Sequence, residues 1–199
     1  MAFGSVNNYL DSKLAGVALL KKTPRLLLHC CCAPCASYVI EYLSPFFEIT
    51  ILYYNPNIFP GDEYYKRKAE LRKLLSLAVY QNSVDMLDCA YDFEAFTSVA
   101  MPFMDEPEGG RRCRECFKLR LGETARLARE GGYDYFTTTL SVSPHKDAAL
   151  LNEIGDTLAK EYGVEYLQSD FKKRDGYKRS IDLSKQYGLY RQTYCGCKE

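Results

Sequence analysis

The sequence lacks long apolar runs, a leader-like start and net charge. No stretch approaches the roughly 20 apolar residues of a membrane-spanning helix, and no basic segment followed by an apolar run opens the chain. We therefore expect a cytoplasmic protein without membrane contacts. The 26 basic and 26 acidic side chains cancel, so any nucleic-acid contact must come from local patches. A Walker-type phosphate loop and a dinucleotide glycine motif are both missing after the first predicted strand.

The most unusual feature of the composition is the presence of nine cysteines in 199 residues. Disulfides are rare in a reducing compartment, so cysteine pairs there indicate metal ligands or catalytic thiols. The cysteines form three groups with regular spacing, which are Cys31-Cys32-x-x-Cys35, Cys113-x-x-Cys116 and Cys195-x-Cys197. Cys30 and Cys89 lie outside these groups and are interpreted as small apolar core residues.

The first group follows an apolar run, 25–29, that is typical of a short buried strand. Pro34 then favours the first turn of a helix. Ligands of open α/β sheets bind at the carboxyl ends of strands, and helix amides stabilise thiolates. The pattern predicts a metal or redox site at this turn, with buried inert thiols as the alternative.

Strands and helices are predicted to alternate along the chain. The predicted strands are 25–29, 47–54, 83–87, 135–140 and 164–168, and the intervening helices exceed ten residues in most cases. Such alternation predicts parallel pairing with right-handed crossovers. We expect one doubly wound parallel-sheet α/β sandwich over residues 25–199 as a single catalytic domain. Residues 1–24 are predicted to be an N-terminal extension with a short helix at 6–20.

Two Cys-x-x-Cys groups far apart in the sequence suit a four-thiolate iron–sulfur or zinc site. A closed tetrahedral zinc site uses only four ligands, so the surplus of thiols favours redox chemistry. Cys195 and Cys197 can form a strained, easily reduced disulfide around Gly196, although two idle thiols are the alternative. Asp170 or Asp175 is a candidate oxygen ligand or proton donor, with loop capping as the alternative. His145 is a candidate proton donor or phosphate contact, with capping as its alternative.

Basic residues cluster in two stretches with aromatic residues near the second. The stretches contain Arg111, Arg112, Arg114, Lys118 and Arg120, and then Lys172, Lys173, Arg174, Lys178 and Arg179. Basic loops interleaved with aromatics, here Tyr177 and Tyr190, are typical of RNA contacts because they pair with phosphates and stack on bases. A solvated surface is the alternative.

The motifs taken together resemble a known family. They are Leu28-His29-Cys30-Cys31-Cys32-Ala33-Pro34-Cys35, Tyr54-Asn55-Pro56-Asn57-Ile58, Glu108-Gly109-Gly110 with Cys113-x-x-Cys116, Thr137 to Lys146, Ser169 to Lys173, Gly176 to Ser180, and Gly188 to Gln192 through Cys197. From about Arg25 onward, this ordered set resembles epoxyqueuosine reductase of the QueH type.

The resemblance implies the last step of queuosine synthesis, in which the epoxide of epoxyqueuosine at the wobble position of a tRNA anticodon is reduced to the alkene. It implies a nucleotide-α-hydrolase-like (HUP/PP-loop-like) fold and a [4Fe–4S] cluster at the carboxyl end of the strands. By residue matching, Cys31, Cys32, Cys113 and Cys116 correspond to cluster ligands, and Cys195 and Cys197 to a redox-active pair. A cellular electron donor is implied as a further partner.

Converting an epoxide to an alkene takes two electrons and two protons. Iron can polarise the C–O bond, provided that one iron is open to the substrate oxygen. We therefore hypothesise either a cluster iron with a replaceable ligand such as Asp170, or an additional mononuclear iron that shares Cys35.

Two alternatives remain open from the sequence. One is a cluster-dependent tRNA sulfur-transfer enzyme, which would need an ATP-binding loop where the cysteine turn lies. The other is a non-catalytic zinc protein that binds RNA through its basic loops.

Overall fold

The computed structural model describes residues 6–197. Its helices are α1 (Val6–Val17), α2 (Ala33–Leu43), α3 (Gly61–Leu77), α4 (Phe93–Ala100), α5 (Arg111–Glu130), α6 (Ala148–Tyr162) and α7 (Gly176–Gln186). Its strands are β1 (Arg25–His29), β2 (Glu48–Leu52), β3 (Val84–Leu87), β4 (Tyr135–Thr138) and β5 (Glu165–Tyr166). Short 3-10 helices lie at Met101–Phe103 and Thr139–Val142.

The five strands form one sheet in the order β3-β2-β1-β4-β5, with every adjacent pair parallel. This confirms the predicted α/β class with a parallel sheet. The chain builds the sheet outward from β1 to β3 and then crosses back to place β4 on the other side of β1. Connections from β1 and β4 therefore diverge, and a crevice opens at the carboxyl ends of these strands.

Alternate side chains of β1 point to opposite faces of the sheet, as the period of a strand requires. Leu26 and Leu28 pack in a core cluster that also contains residues of α1, α2 and α3. Leu27 packs on the other face, with Ala125 and Ala128 of α5. Helices therefore cover both faces of the sheet, which explains why the central strand is apolar on both sides.

Helix α1 belongs to the first of these clusters. Its Leu10, Leu14 and Val17 are buried, and Lys13 forms a salt bridge with Glu165 of β5. This helix lies within the predicted extension 1–24, of which residues 1–5 are outside the described part of the chain.

Strands β2, β4 and β5 are shorter than predicted, and two helices also differ from the sequence predictions. Helix α4 was not predicted, although Asp92 caps it by accepting a hydrogen bond from the backbone N–H of Ala95 at 3.0 Å. Helix α7 begins at Gly176, within the segment predicted to be a basic loop up to residue 179. Ser180 and Leu183 of α7 are buried where this helix packs against α2, so tertiary packing extends a helix whose sequence is mostly polar.

No helix within residues 6–197 has both the length and the apolar character required to cross a membrane.

Close packing of α6 on β5 generates a first prediction. A Cβ at Gly155 would lie 2.3 Å from the ring of Tyr166, whereas a Cβ at Gly122 would have its nearest neighbour 3.9 Å away. We expect Gly155→Ala to lower the free energy of unfolding by about 2 kcal/mol through overpacking. Gly122→Ala, the matched control in α5, should leave the free energy of unfolding unchanged or raise it, because alanine favours the helix. Urea denaturation measures both, and equal stability of the two variants would contradict the packing described.

Candidate functional site

A cleft of about 500 Å³ opens at the carboxyl ends of the strands. Its walls come from the turn after β1, the segment after β2, the loops before α5 and after β4, and the C-terminal segment. The lining includes Cys31, Cys32, Cys35, Asn55, Asn57, Arg67, Glu108, Arg120, His145, Lys146, Tyr177, Arg191, Gln192, Tyr194 and Cys195. The position matches the crevice that the strand order creates.

The three cysteines of the turn after β1 lie together at the base of the cleft. The sulfurs of Cys31, Cys32 and Cys35 are all within 4.8 Å of one another, and those of Cys31 and Cys32 are 3.7 Å apart. Cys32 is the extended residue that precedes α2, and Pro34 lies in the first turn of that helix. The abrupt change from strand to helix thus turns three thiols toward one point, where they can hold a metal ion.

The pKa values of the three thiols differ. The pKa of Cys31 lies well below its usual value because Cys32 and Cys35 donate hydrogen bonds to its sulfur. The same bonds raise the pKa of Cys32 to about 12 and that of Cys35 well above its usual value. The backbone N–H of Cys31 also donates to Thr139 Oγ1, at the end of β4, over 3.2 Å. Cys31 is therefore the thiol of this turn that ionises most readily.

Arg120 places a buried positive charge behind these thiols. Its guanidinium is bonded to Asn55 Oδ1 at 2.5 Å and lies 3.8 Å from the sulfur of Cys116. Burial lowers the pKa of Arg120, but the nearby sulfurs of Cys116, Cys31 and Cys195 outweigh this effect and raise it. Arg120 stays charged and favours thiolate at each of the three cysteine groups.

His29 is enclosed in the sheet beside Arg120. Its Nδ1 lies 2.8 Å from Thr138 Oγ1, and its Nε2 lies 3.1 Å from the carbonyl oxygen of Tyr54. Burial, with the charge of Arg120, lowers the pKa of His29 to about 3, so the ring is neutral. This confirms the interpretation of His29 as a strand residue.

Cys113 and Cys116 lie in the first turns of α5 and are buried. The backbone N–H of Gly109 donates to the sulfur of Cys113 over 3.2 Å. Cys31 packs against the apolar cluster that contains Cys113, so the second cysteine group adjoins the first. Burial raises the pKa of Cys116.

The C-terminal segment brings the third cysteine group to the cleft. The N–H of Phe59 donates to the carbonyl of Gly196 at 2.8 Å, and Arg67 Nη1 donates to the carbonyl of Cys195 at 3.0 Å. Gly196 has a φ of 98°, which a residue with a side chain rarely adopts, so glycine permits the bend between the two thiols. Cys195 lines the cleft, whereas Cys197 packs against the cluster that contains Cys116.

Cys195 and Cys197 differ in charge. A hydrogen bond from Cys197 and the positive charges of Lys146 and Arg120 lower the pKa of Cys195 to about 5. The bond to Cys195 raises the pKa of Cys197. Lys146 Nζ lies 3.6 Å from the Cys195 sulfur and forms an ion pair with Glu108. Cys195 is therefore the thiolate of the pair and faces the cleft.

Asp170 does not line the cleft. Its carboxylate forms salt bridges with Lys172 at 2.8 Å and Lys173 at 3.4 Å, in a separate recess beside Tyr38 and Tyr42. Asp170 thus lies outside the lining of the cleft, and its role as an iron ligand or proton donor stays a prediction. Its neighbours in the loop after β5 neutralise it.

The two cysteines outside the spacing pattern have packing roles. Cys30 belongs to the main core cluster, where burial raises its pKa well above the usual value. The thiol of Cys89 donates to the carbonyl of Tyr53 at 2.8 Å. Both agree with their interpretation as small core residues.

The sequence predicted Arg120 only as part of a basic stretch for RNA contact, and it assigned no role to Arg67, Glu108 or Lys146, which also line the cleft. Arg120 follows Cys116 by four residues and therefore shares its helix face, a spacing that could have revealed it. Arg67 and Glu63 have the same spacing in α3 and form a buried ion pair at 2.7 Å. Glu108 and Lys146 come from distant loops, and only the fold brings them together.

Comparison with known proteins agrees with this geometry. The family profile described as "Epoxyqueuosine reductase QueH" matches residues 26–198. Similar proteins with that name include one from Streptococcus pyogenes serotype M1, 44% identical over 176 residues that cover 87% of this chain and 69% of the relative. Another, from Staphylococcus epidermidis, is 42% identical over 180 residues, covering 87% and 75%.

A more distant relative of the same name, from Thermotoga maritima, is 34% identical over 178 residues, which cover 86% of this chain and 88% of that protein. These matches span the sheet and all three cysteine groups. They confirm the resemblance seen in the motifs. The chain belongs to the epoxyqueuosine reductase QueH family.

Proposed function

We propose that this protein reduces the epoxide of epoxyqueuosine, at the wobble position of a tRNA anticodon, to the alkene of queuosine. The observation that carries the proposal is the cleft in which three adjoining thiols, Cys31, Cys32 and Cys35, share the walls with the thiolate of Cys195. Its relatives are named for this reaction. Sulfur transfer has no comparable support here, because the cysteine turn occupies the place where a nucleotide-binding loop would lie.

The thiols fit a [4Fe–4S] cluster by their donor chemistry. Cys31, Cys32, Cys113 and Cys116 would hold it, and the buried charge of Arg120 would offset part of its negative charge. Cys35 adjoins Cys31 and Cys32 closely enough to share an additional mononuclear iron. When bound, such iron would supply electrons and a Lewis acid for the epoxide oxygen.

Cys195 and Cys197 supply a balanced two-electron reduction. Two C–O bonds of the epoxide break, the carbon–carbon double bond forms, and the dithiol is oxidised to a disulfide. The oxygen leaves as water, with one proton from the Cys197 thiol and a second from solvent, because Cys195 is already a thiolate. A cellular reductant must then restore the dithiol. Cys195 faces the cleft and Cys197 adjoins Cys116, so the pair lies between the substrate space and the second cysteine group.

The rim of the cleft suits an RNA substrate. Tyr177, Tyr194 and Arg191 line it and can stack on bases, and His145 and Lys146 add hydrogen-bond donors for phosphate or sugar oxygens. We propose that the anticodon loop binds across this rim with the modified base extruded into the cleft.

The strand order also suits a nucleotide-α-hydrolase-like fold, with the cysteine turn in the position where such folds bind nucleotide phosphates. We propose residues 25–199 as the catalytic domain and residues 1–24 as an extension whose helix α1 packs on it. A tRNA substrate and the free thiols of all nine cysteines fit the cytoplasm.

Substitution of the cleft thiolate tests the proposed function. We expect Cys195→Ser to abolish reduction of epoxyqueuosine in an anticodon stem-loop, because a hydroxyl cannot form the disulfide. Iron and sulfide content should stay unchanged because Cys195 is not among the proposed ligands. Product analysis of the RNA by mass spectrometry and metal analysis measure the two effects.

Cys89→Ser is the matched control, since Cys89 is partly buried but lies outside the cleft. It should keep both the activity and the iron. Loss of iron in Cys195→Ser would show that the C-terminal segment supplies an iron ligand. Full activity in that variant would exclude reduction of the epoxide by the Cys195–Cys197 dithiol.

The ion pair beside Cys195 yields a prediction on pH dependence. Without the charge of Lys146, the pKa of Cys195 should rise from about 5 by one to two units, as expected for loss of an opposite charge at this distance. At pH 5.5 the thiolate then predominates in the parent protein but not in Lys146→Met, and iodoacetamide should modify Cys195 on the order of tenfold more slowly in the variant.

At pH 9 the two rates should converge, because Cys195 is ionised in both proteins. Peptide mass spectrometry of the reduced protein follows the C-terminal peptide, and Lys160→Met on the exposed face of α6 is the control. Equal rates at pH 5.5 would contradict the assignment of Lys146 as the group that stabilises the thiolate.

A further inference from the structure

The lining of the cleft carries buried polar atoms that have no hydrogen-bond partner in the described part of the chain. These atoms are Asn57 Oδ1, Arg67 Nη2 and Gln192 Oε1. All three residues line the cleft, and the side chains of Asn57 and Arg67 are almost fully buried, with 1% and 3% exposure. The lining thus presents two acceptors and one donor.

Leaving such groups unpaired destabilises the folded protein, because each loses its hydrogen bonds to water and gains none in return. Most buried polar groups in proteins are satisfied, so several unpaired ones among the residues that line one cleft indicate that a ligand satisfies them. The complementary ligand has two hydrogen-bond donors and an acceptor.

The position of Arg67 shows which part of the substrate these atoms meet. Its Nη1 bonds to the carbonyl of Cys195, its Nε bonds to Glu63, and its Nη2 lies within 3.3 Å of where a Cβ on Gly196 would be. Glu63 thus fixes the guanidinium against the backbone of the redox pair. A ligand atom that reaches Nη2 lies beside the reacting thiols.

The reacting part of epoxyqueuosine is a cyclopentane ring that carries two hydroxyl groups next to the epoxide. Two hydroxyls supply two donors, and their oxygens supply acceptors, which matches the set of unpaired atoms. The base and the RNA backbone lie further from the reacting bond.

We propose that Asn57, Gln192 and Arg67 form a specificity subsite for the hydroxylated ring. Asn57 Oδ1 and Gln192 Oε1 accept hydrogen bonds from the two hydroxyls, and Arg67 Nη2 donates to an oxygen of the ring. This inference rests on the proposed function and deepens it. The subsite also explains how the protein recognises the cyclopentane ring of the substrate, in addition to its base, next to the thiols.

Two RNAs test the subsite on the metal-loaded protein. One is an anticodon stem-loop with queuosine, which keeps both hydroxyls and cannot be reduced further. The other is the same stem-loop with 7-aminomethyl-7-deazaguanosine, which has the base but no ring.

Gln192→Met removes an acceptor with little change in volume, and Asn57→Leu does the same at the buried position.

We expect each variant to weaken binding of the queuosine RNA about tenfold, the usual effect of losing a buried hydrogen bond, and to change binding of the ringless RNA by less than about twofold. Gln186→Met, on the exposed end of α7, should change neither affinity. Fluorescence anisotropy measures the dissociation constants.

Equal weakening of binding for both RNAs would contradict the proposed subsite, because these side chains would then contact the base or the RNA backbone and not the ring. Unchanged affinity for both would overturn it as well, since the polar atoms would be satisfied without the ring. Turnover of epoxyqueuosine RNA by the parent protein separates these results from failure of the proposed function, which would show no product at all.

Discussion

The buried charge of Arg120 is the interaction on which the site depends. Its guanidinium is held by Asn55, just after β2, and touches Cys116 of α5, while the sulfurs of Cys31 and Cys195 lie close enough to raise its pKa. A buried charge without compensation would be strongly destabilising. The sulfurs of Cys116, Cys31 and Cys195 offset the cost of burying Arg120, and its charge adds to the hydrogen bonds from neighbouring thiols that lower the pKa of Cys31 and Cys195.

The topology of the sheet explains why these groups meet. Each cysteine-bearing segment reaches the same end of a parallel sheet, after β1, before α5 or from the C-terminal tail. Because the order of strands reverses between β1 and β4, the loops there diverge and leave room for a substrate. Cys31, Cys32, Cys35 and Cys195 then line a cleft, whereas Cys113 and Cys116 are buried in the first turns of α5 and Cys30 lies in the main core cluster.

Much of this arrangement could be predicted from the sequence. The bounds of β1, the alternation of strands and helices, and the regular cysteine spacing are local signals, and they led to the class of fold and to the family. The short helix α4 and the early start of α7 could not be predicted in the same way, because tertiary packing outweighs weak local preferences there.

The surroundings of Asp170 depend on tertiary structure in the same way. A carboxylate near the end of a strand is a plausible ligand, but the direction of the loop after β5 decides where it points, and Asp170 forms salt bridges with Lys172 and Lys173. The pairing of Lys146 with Glu108 depends on contacts between residues far apart in the chain. Such contacts leave no periodic signal in one sequence.

The central claim is that the cysteines at the strand ends hold an iron–sulfur cluster in a redox site. The most direct measurement is the content of iron, acid-labile sulfide and zinc in protein purified without oxygen. Our account predicts roughly four irons and four sulfides per chain, with extra iron if Cys35 shares a mononuclear site. Zinc without sulfide would contradict it and would favour a structural metal in an RNA-binding protein.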